Sequence, residues 1–275
     1  MGSVLISVDE LRVLECPVIL DVRWQLGDPD GRKHYRDGHI PGAVFVDLDA
    51  ELAAAPTPAQ GRHPLPSIAD FQESVRRWGI HPDSTVVCYD DIGCQAAARA
   101  WWLLQWAGVT DVRLLDGGLG AWRAAGLGLD AGDGDAPDPS AIVLTPQQLP
   151  TISINEAATF DGVLLDARAG ERYRGEQEPM DPRAGHIPGA VSAPTGENLA
   201  ANGYFRSPAD LRERFTAIGV TVDAPVAAYC GSGVTAAHEI AALAVAGFDA
   251  ALFPGSWSQW SNDPGRPAAA GPDPR

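Results

Sequence analysis

Apolar and polar positions along this chain fall into two rhythms. Short continuous apolar runs, ILDVR at residues 19–23, TVVCY at 85–89, LLDAR at 164–168 and PVAAY at 225–229, have the length and make-up of strands buried on both faces. Between them lie stretches with helical spacing. SIADFQESVRRWGI at 67–80 and SPADLRERFTAIGV at 207–220 each open on a serine suited to cap a helix and close on a glycine, Gly79 or Gly219. Strands alternating with helices predict βαβ units, and hence an α/β fold with parallel sheets covered by helices on both faces.

The rhythm also repeats. ISVDEL from Ile6 is echoed by ISINEA from Ile152, and both are capping boxes, with Ser7 and Glu10 in one copy and Ser153 and Glu156 in the other. GHIPGA occurs twice, from Gly38 and from Gly185. Residues 67–97 align with 207–237 at a constant offset of 140 without a gap, and LLDGGLGAW and LFPGSWSQW complete the two copies. The chain therefore reads as two tandem α/β domains, 1–125 and 149–275, joined by a linker at 126–148 that contains the Gly-, Asp- and Pro-rich GLGLDAGDGDAPDPS.

Composition narrows the function. With 45% hydrophobic and 20% charged residues the chain is that of an ordinary globular protein, and halves of this size need no disulfide or structural metal for stability. Its net charge of −16 repels phosphate backbones and anionic lipid, so neither nucleic acid nor a membrane surface is expected as partner. The first fifteen residues carry no basic segment with an apolar core, and no apolar run spans a bilayer, which makes the cytoplasm the expected compartment. Cys16, Cys88, Cys94 and Cys230 form no C-x-x-C pair, so no metal is expected and the thiols read as free.

The gapless alignment singles out one of them. Cys230, at the end of an apolar run, faces Asp90 in the other copy; Gly231, Ser232 and Gly233 face Asp91, Ile92 and Gly93. Parallel sheets bind ligands beyond the carboxyl ends of their strands, where both loops lie. In YCGSGVT the glycines free successive N–H groups to converge, and the following helix adds its positive end; both favour a thiolate over a thiol. Cys230 is thus a candidate nucleophile, with Gly231, Gly233, Val234 and Thr235 as the cradle. Cys88 lies within its strand, Cys16 precedes a proline and Cys94 opens a helix, all readable as packing. So are Trp101, Trp102 and Trp106, at helical spacing.

CGSGVTA at residues 230–236, the duplicated GHIPGA and GSWSQW from Gly255 resemble the two-domain rhodanese-like sulfurtransferases, in particular the 3-mercaptopyruvate branch. The resemblance implies transfer of sulfane sulfur from a small-molecule donor through a Cys230 persulfide to cyanide or to a thiol acceptor such as thioredoxin, with no cofactor. It places donor-binding arginine at Arg172. A second arginine expected after the Glu-Pro pair is replaced by Met180, and Arg183 is the nearest substitute. It also implies a proton relay through Ser232 with a histidine and an aspartate of the first domain, which map to His39 and Asp30. Since His186 sits in an identical motif, a structural role for this histidine stands beside the catalytic one. Thiosulfate as donor and a non-catalytic persulfide carrier remain alternatives. A cysteine phosphatase would need an arginine at position 236, which is Ala.

Overall fold

The computed structural model describes residues 3–274 and separates into two compact units. Of these described residues the first comprises 3–54, 66–149 and 201–205; the second comprises 55–65, 150–200 and 206–274. The units are therefore not the two halves of the sequence. The segment that precedes capping Ser67 belongs with the second unit, and its counterpart before Ser207 belongs with the first.

In the first unit the elements run β1 (Leu5–Ile6), α1 (Val8–Leu11), β2 (Val18–Asp21), α2 (Gly31–Asp37), β3 (Val44–Phe45), α3 (Leu48–Glu51), α4 (Ile68–Arg77), β4 (Val86–Tyr89), α5 (Ala97–Trp106), β5 (Val112–Leu115) and α6 (Gly118–Ala124). The strands form one parallel sheet in the order β1-β5-β4-β2-β3. Its central strand β4 is buried at every position, as a continuous apolar run requires. Trp101, Trp102 and Trp106 are buried on α5. Residues of the 126–149 stretch pack back onto this unit: Ser140 N–H donates to Arg76 O, and Thr145 N–H donates to Ala107 O.

The second unit repeats the plan with α7 (Ile154–Ala158), β6 (Val163–Asp166), α8 (Gly170–Tyr173), β7 (Val191–Ser192), a 3-10 turn (Thr195–Asn198), α9 (Pro208–Ala217), β8 (Val226–Tyr229), α10 (Thr235–Val245), β9 (Ala251–Leu252) and α11 (Ser256–Asn262). Its parallel sheet has the order β7-β6-β8-β9, and the place of a fifth strand is held by a single bridge from Thr151 to Leu252. Both capping boxes form, and Ser67 and Ser207 cap α4 and α9 by accepting from Asp70 N–H and Asp210 N–H.

The two GHIPGA motifs serve one architecture. In each unit an Asp-x-Arg ion pair closes an apolar strand, Asp21 with Arg23 at the end of β2 and Asp166 with Arg168 at the end of β6. A buried tyrosine hydroxyl, Tyr89 or Tyr229, accepts the N–H of Ile40 or Ile187 inside the motif. His39 stacks on Tyr35 with ring centroids 3.9 Å apart and its Nδ1 lies 2.9 Å from Tyr35 O; His186 stacks on Tyr173 at 3.8 Å with Nδ1 2.8 Å from Tyr173 O. The two histidines do the same packing work. No helix among the described residues is long and apolar enough to cross a membrane.

Candidate active site

β8 delivers Cys230 to the carboxyl edge of the second sheet, and the chain bends through Gly231, Ser232 and Gly233 before α10 begins at Thr235. The bend needs glycine at 233. There φ is +81°, and a Cβ would lie 2.5 Å from Pro254 O. That geometry turns the Gly233 N–H onto the Cys230 sulfur, with N···Sγ 3.1 Å. Val234, 2% exposed, and Thr235 lead into the helix.

α11 braces the loop from below. Trp257 N–H donates to Cys230 O and Ser258 N–H to Gly231 O, at 2.9 and 2.8 Å. Ser256 takes a left-handed φ of +52°, a conformation that costs a non-glycine residue roughly 1 kcal/mol or more. Its hydroxyl offsets this by accepting Cys230 N–H at 3.1 Å and donating to Phe253 O at 2.9 Å. The equivalent residue of the first unit is Gly118, which has a similar φ of +54° and no such hydroxyl.

A strap from the first half of the sequence covers this loop. Thr57 and Gly61 exchange backbone hydrogen bonds, and Gly61, at φ +91°, lies so close to Gly255 O and Ser258 Oγ that a Cβ would meet both within 2.7 Å. The next residue is held by its N–H donating to Ser258 Oγ at 3.0 Å. That residue is Arg62, and His63 follows it, with Nδ1 2.7 Å from Ser232 Oγ. The sequence reading placed the histidine partner of Ser232 at His39. In the structure the histidine on Ser232 is His63; His39 is 1% exposed, packed on Tyr35, and belongs to the other unit, as does Asp30, which precedes α2 and makes no side-chain cap.

Over the loop the side chains form a row of alternating charge: Asp166, Arg168, Glu178, Arg172, Asp181, Arg62. Successive N···O contacts are 2.6, 3.3, 2.6 and 3.3 Å, and the row ends on a short Arg62–Asp181 ion pair. Three cations face three anions, so each buried charge has an opposite neighbour. Burial pushes the Asp181 carboxyl above its ordinary range, against the pull of Arg62. The two arginines nearest the loop aim at it: a Cβ on Gly231 would lie 3.0 Å from Arg62 Nη2 and 3.4 Å from Arg172 Nη1. Cys230 itself is only 2% exposed, so it forms the floor of the site.

Arg172 thus lies beside the cysteine loop. Arg183 does not join it. Its guanidinium donates to four backbone carbonyls, Ser261, Arg266, Trp260 and Asp263, at 2.6 to 2.8 Å, and so ties α11 to the segment after it. The five N–H donors of an arginine are nearly exhausted by that task. Arg62, invisible to the spacing argument, stands at the loop instead.

The remaining thiols lie elsewhere. Cys88 and Cys94 are buried in the first unit, where desolvation pushes both well above the ordinary thiol range, and Cys94 donates to Leu115 O. Cys16 is exposed. Among the described residues no three His, Cys, Asp or Glu side chains gather as a metal site.

The first unit contains the same loop with a different occupant. Asp90 replaces Cys230, and its carboxylate accepts four backbone N–H groups: Ile92 and Cys94 on Oδ1 at 2.9 and 2.8 Å, Ala96 and Ala97 on Oδ2 at 2.8 and 3.0 Å. The loop is an anion nest that the chain fills with its own carboxylate.

A family model described as "Rhodanese-like domain" matches residues 7–125 and again 149–263. A Mycobacterium tuberculosis protein named "Putative thiosulfate sulfurtransferase SseB" is 48% identical, with 98% of each chain aligned. A Pseudomonas aeruginosa protein named "Probable 3-mercaptopyruvate sulfurtransferase" is 47% identical over 92% of each. The solved 3-mercaptopyruvate sulfurtransferase of Leishmania major superposes with a TM-score of 0.85 at 29% identity, covering 94% of this chain and 74% of its own. Two matches to one domain model, in register with the two copies of the sheet, place this chain in the rhodanese-like family.

Proposed function

We propose that this sulfurtransferase takes sulfur from 3-mercaptopyruvate onto Cys230 and passes it to a thiol. The observation that carries the reading is the placement of two guanidinium groups, of Arg172 and Arg62, over a loop whose residues next to the cysteine, Gly231 and Ser232, are neutral. A monocarboxylate whose sulfur is carried two carbons from the carboxylate carbon fits such a site: the carboxylate meets the arginines and the sulfur reaches the loop.

In the first half-reaction the Cys230 thiolate attacks the donor sulfur. The Sγ–S bond forms, the S–C bond breaks, and its electron pair goes to the enolate of pyruvate. The enolate carbon then takes a proton, for which Ser232 hydrogen-bonded to His63 is the nearest relay. In the second, an acceptor thiolate attacks the outer sulfur and returns Cys230 as thiolate. The persulfide's outer sulfur lies two bonds from Cβ, as a carboxylate oxygen does. The hold of the first unit's loop on Asp90 supports a matching hold on the persulfide by the second.

Thiosulfate is the second reading, favoured by the same paired arginines, which suit a dianion, and by the name of the M. tuberculosis relative. A thiol protein such as thioredoxin is the proposed acceptor. Initial rates with each donor, using cyanide and a dithiol protein in turn, separate the readings. Mercaptopyruvate is expected to be the faster donor, with all transfer lost in Cys230→Ser. A thiosulfate kcat/KM equal or higher overturns the choice of donor, and transfer surviving in Cys230→Ser overturns the mechanism.

A further inference from the structure

The alternating row has a property that a plain donor pocket lacks: it is already complete. Arg172 and Arg62 are the cations that lie over the cysteine loop, and both are engaged by one carboxylate, Asp181, whose side chain is 2% exposed. Asp181 therefore lies between the two guanidinium groups to which the proposed donor's carboxylate binds. The row is neutral as it stands, so a further anion brings an excess negative charge into a largely buried cluster unless an existing one gives way. Asp181 is the member able to do so. Asp166 and Glu178 are held from β6 or between two arginines on the side away from the strap, whereas Asp181 is the last acid of the row and reaches only Arg172 and Arg62 through its carboxylate.

Cover on the cysteine points the same way. Cys230 is 2% exposed, with the Arg62 and Arg172 guanidinium groups over the neighbouring Gly231. Arg62 reaches this position from a strap anchored at Gly61 and Ser258, and its side chain is 24% exposed, so its head is free to turn when Asp181 lets go.

Building on the proposed donor, we infer that Asp181 is an internal stand-in for the donor carboxylate: it latches Arg62 to Arg172 over the cysteine loop, and a carboxylate-bearing donor opens the site by displacing it. Asp181 touches no reacting atom. It sets how much anion is needed to open the site, and so acts on KM and on anion selectivity.

The test uses the full chain and the variants Asp181→Asn and Asp181→Glu. Two experiments are run: steady-state kinetics for kcat and KM with 3-mercaptopyruvate, and calorimetry for the equilibrium affinity for pyruvate, which needs no turnover. Asp181→Asn is expected to tighten pyruvate binding on the order of tenfold, the scale of one charge-assisted hydrogen bond, and to lower KM in parallel. Asp181→Glu, which restores a carboxylate, is expected to bring both back toward the parent values. Pyruvate affinity that is unchanged or weaker in a folded Asp181→Asn protein overturns the inference, because an acid that merely positions the arginines would loosen the site when neutralised. The proposed donor fails separately: the parent chain then turns over no mercaptopyruvate, whatever the pyruvate titrations give.

Discussion

Replacing Asp90 by Asn tests the idea that these loops are built to hold an anion. Asp90 Oδ1 accepts Ile92 and Cys94 N–H, and Oδ2 accepts Ala96 and Ala97 N–H, all within 3.0 Å and with the side chain fully buried. An asparagine of the same shape keeps one oxygen and sets an NH2 group against the other pair of donors. Two buried N–H groups lose their acceptor, at about 1–3 kcal/mol each, so the first unit should lose roughly 2–6 kcal/mol. With a urea slope near 2 kcal/mol per molar, its unfolding midpoint should fall on the order of 1 M or more. Amide hydrogen exchange assigns the loss to one unit even if the whole chain does not unfold in one step: protection at Ile92, Cys94, Ala96 and Ala97 should collapse while β8 and α10 keep theirs. Cys230→Ala is the contrast. Its sulfur accepts the Gly233 amide, so the substitution should cost about 1 kcal/mol while abolishing turnover. An Asp90→Asn protein whose midpoint moves by less than the uncertainty of the fit would refute the nest.

Other outcomes follow from the same geometry. Ser232→Ala and His63→Ala should lower kcat for mercaptopyruvate by about 10² or more, and do much less to thiosulfate, whose sulfite leaving group needs no proton on carbon; equal losses with both donors would remove the proton relay. Arg62→Ala should raise KM for mercaptopyruvate at least tenfold by about the energy of one charged hydrogen bond, whereas Arg183→Ala should act on thermal stability first, since its four carbonyl partners lie in the backbone. Burial pushes the Asp21 carboxyl from 3.8 up to about 6. Its folded value lies above the unfolded one, so its contribution to stability is full below about pH 4 and is lost as pH rises through about 6; chemical denaturation across that window should show the decline, and Asp21→Asn should flatten it.

Much of the fold was legible because it is local. The four apolar runs became strands, the serine caps and both capping boxes formed, and the repeat predicted two similar parallel sheets. The loop after β8 was legible by comparison with its twin, since a cysteine opposite an aspartate is hard to explain by packing. Arg62 and His63 were not. They sit in TPAQGRHPLPS, which has no period of its own, and His63 reaches Ser232 across 169 residues of sequence. One signal was available: carried back beyond Ser67, the offset of 140 sets GRHPLP against ANGYFR, so a basic pair with a histidine stands in one copy only. The family resemblance maps the relay histidine to His39, but a motif present in both copies marks what the copies share, and here that is a histidine stacked on a tyrosine. Arg183 is the arginine nearest Met180 in sequence, and spacing alone does not show that its fork is filled by carbonyls.

The central claim is that sulfur in transit resides on Cys230. Incubating the protein with 3-mercaptopyruvate without acceptor, then mapping peptides by mass under non-reducing conditions, tests it directly. One added sulfur on the Cys230 peptide, discharged by a thiol and absent from Cys230→Ser, is the predicted result. Sulfur carried on Cys16, or pyruvate released in repeated turnovers with Cys230 never modified, would contradict it.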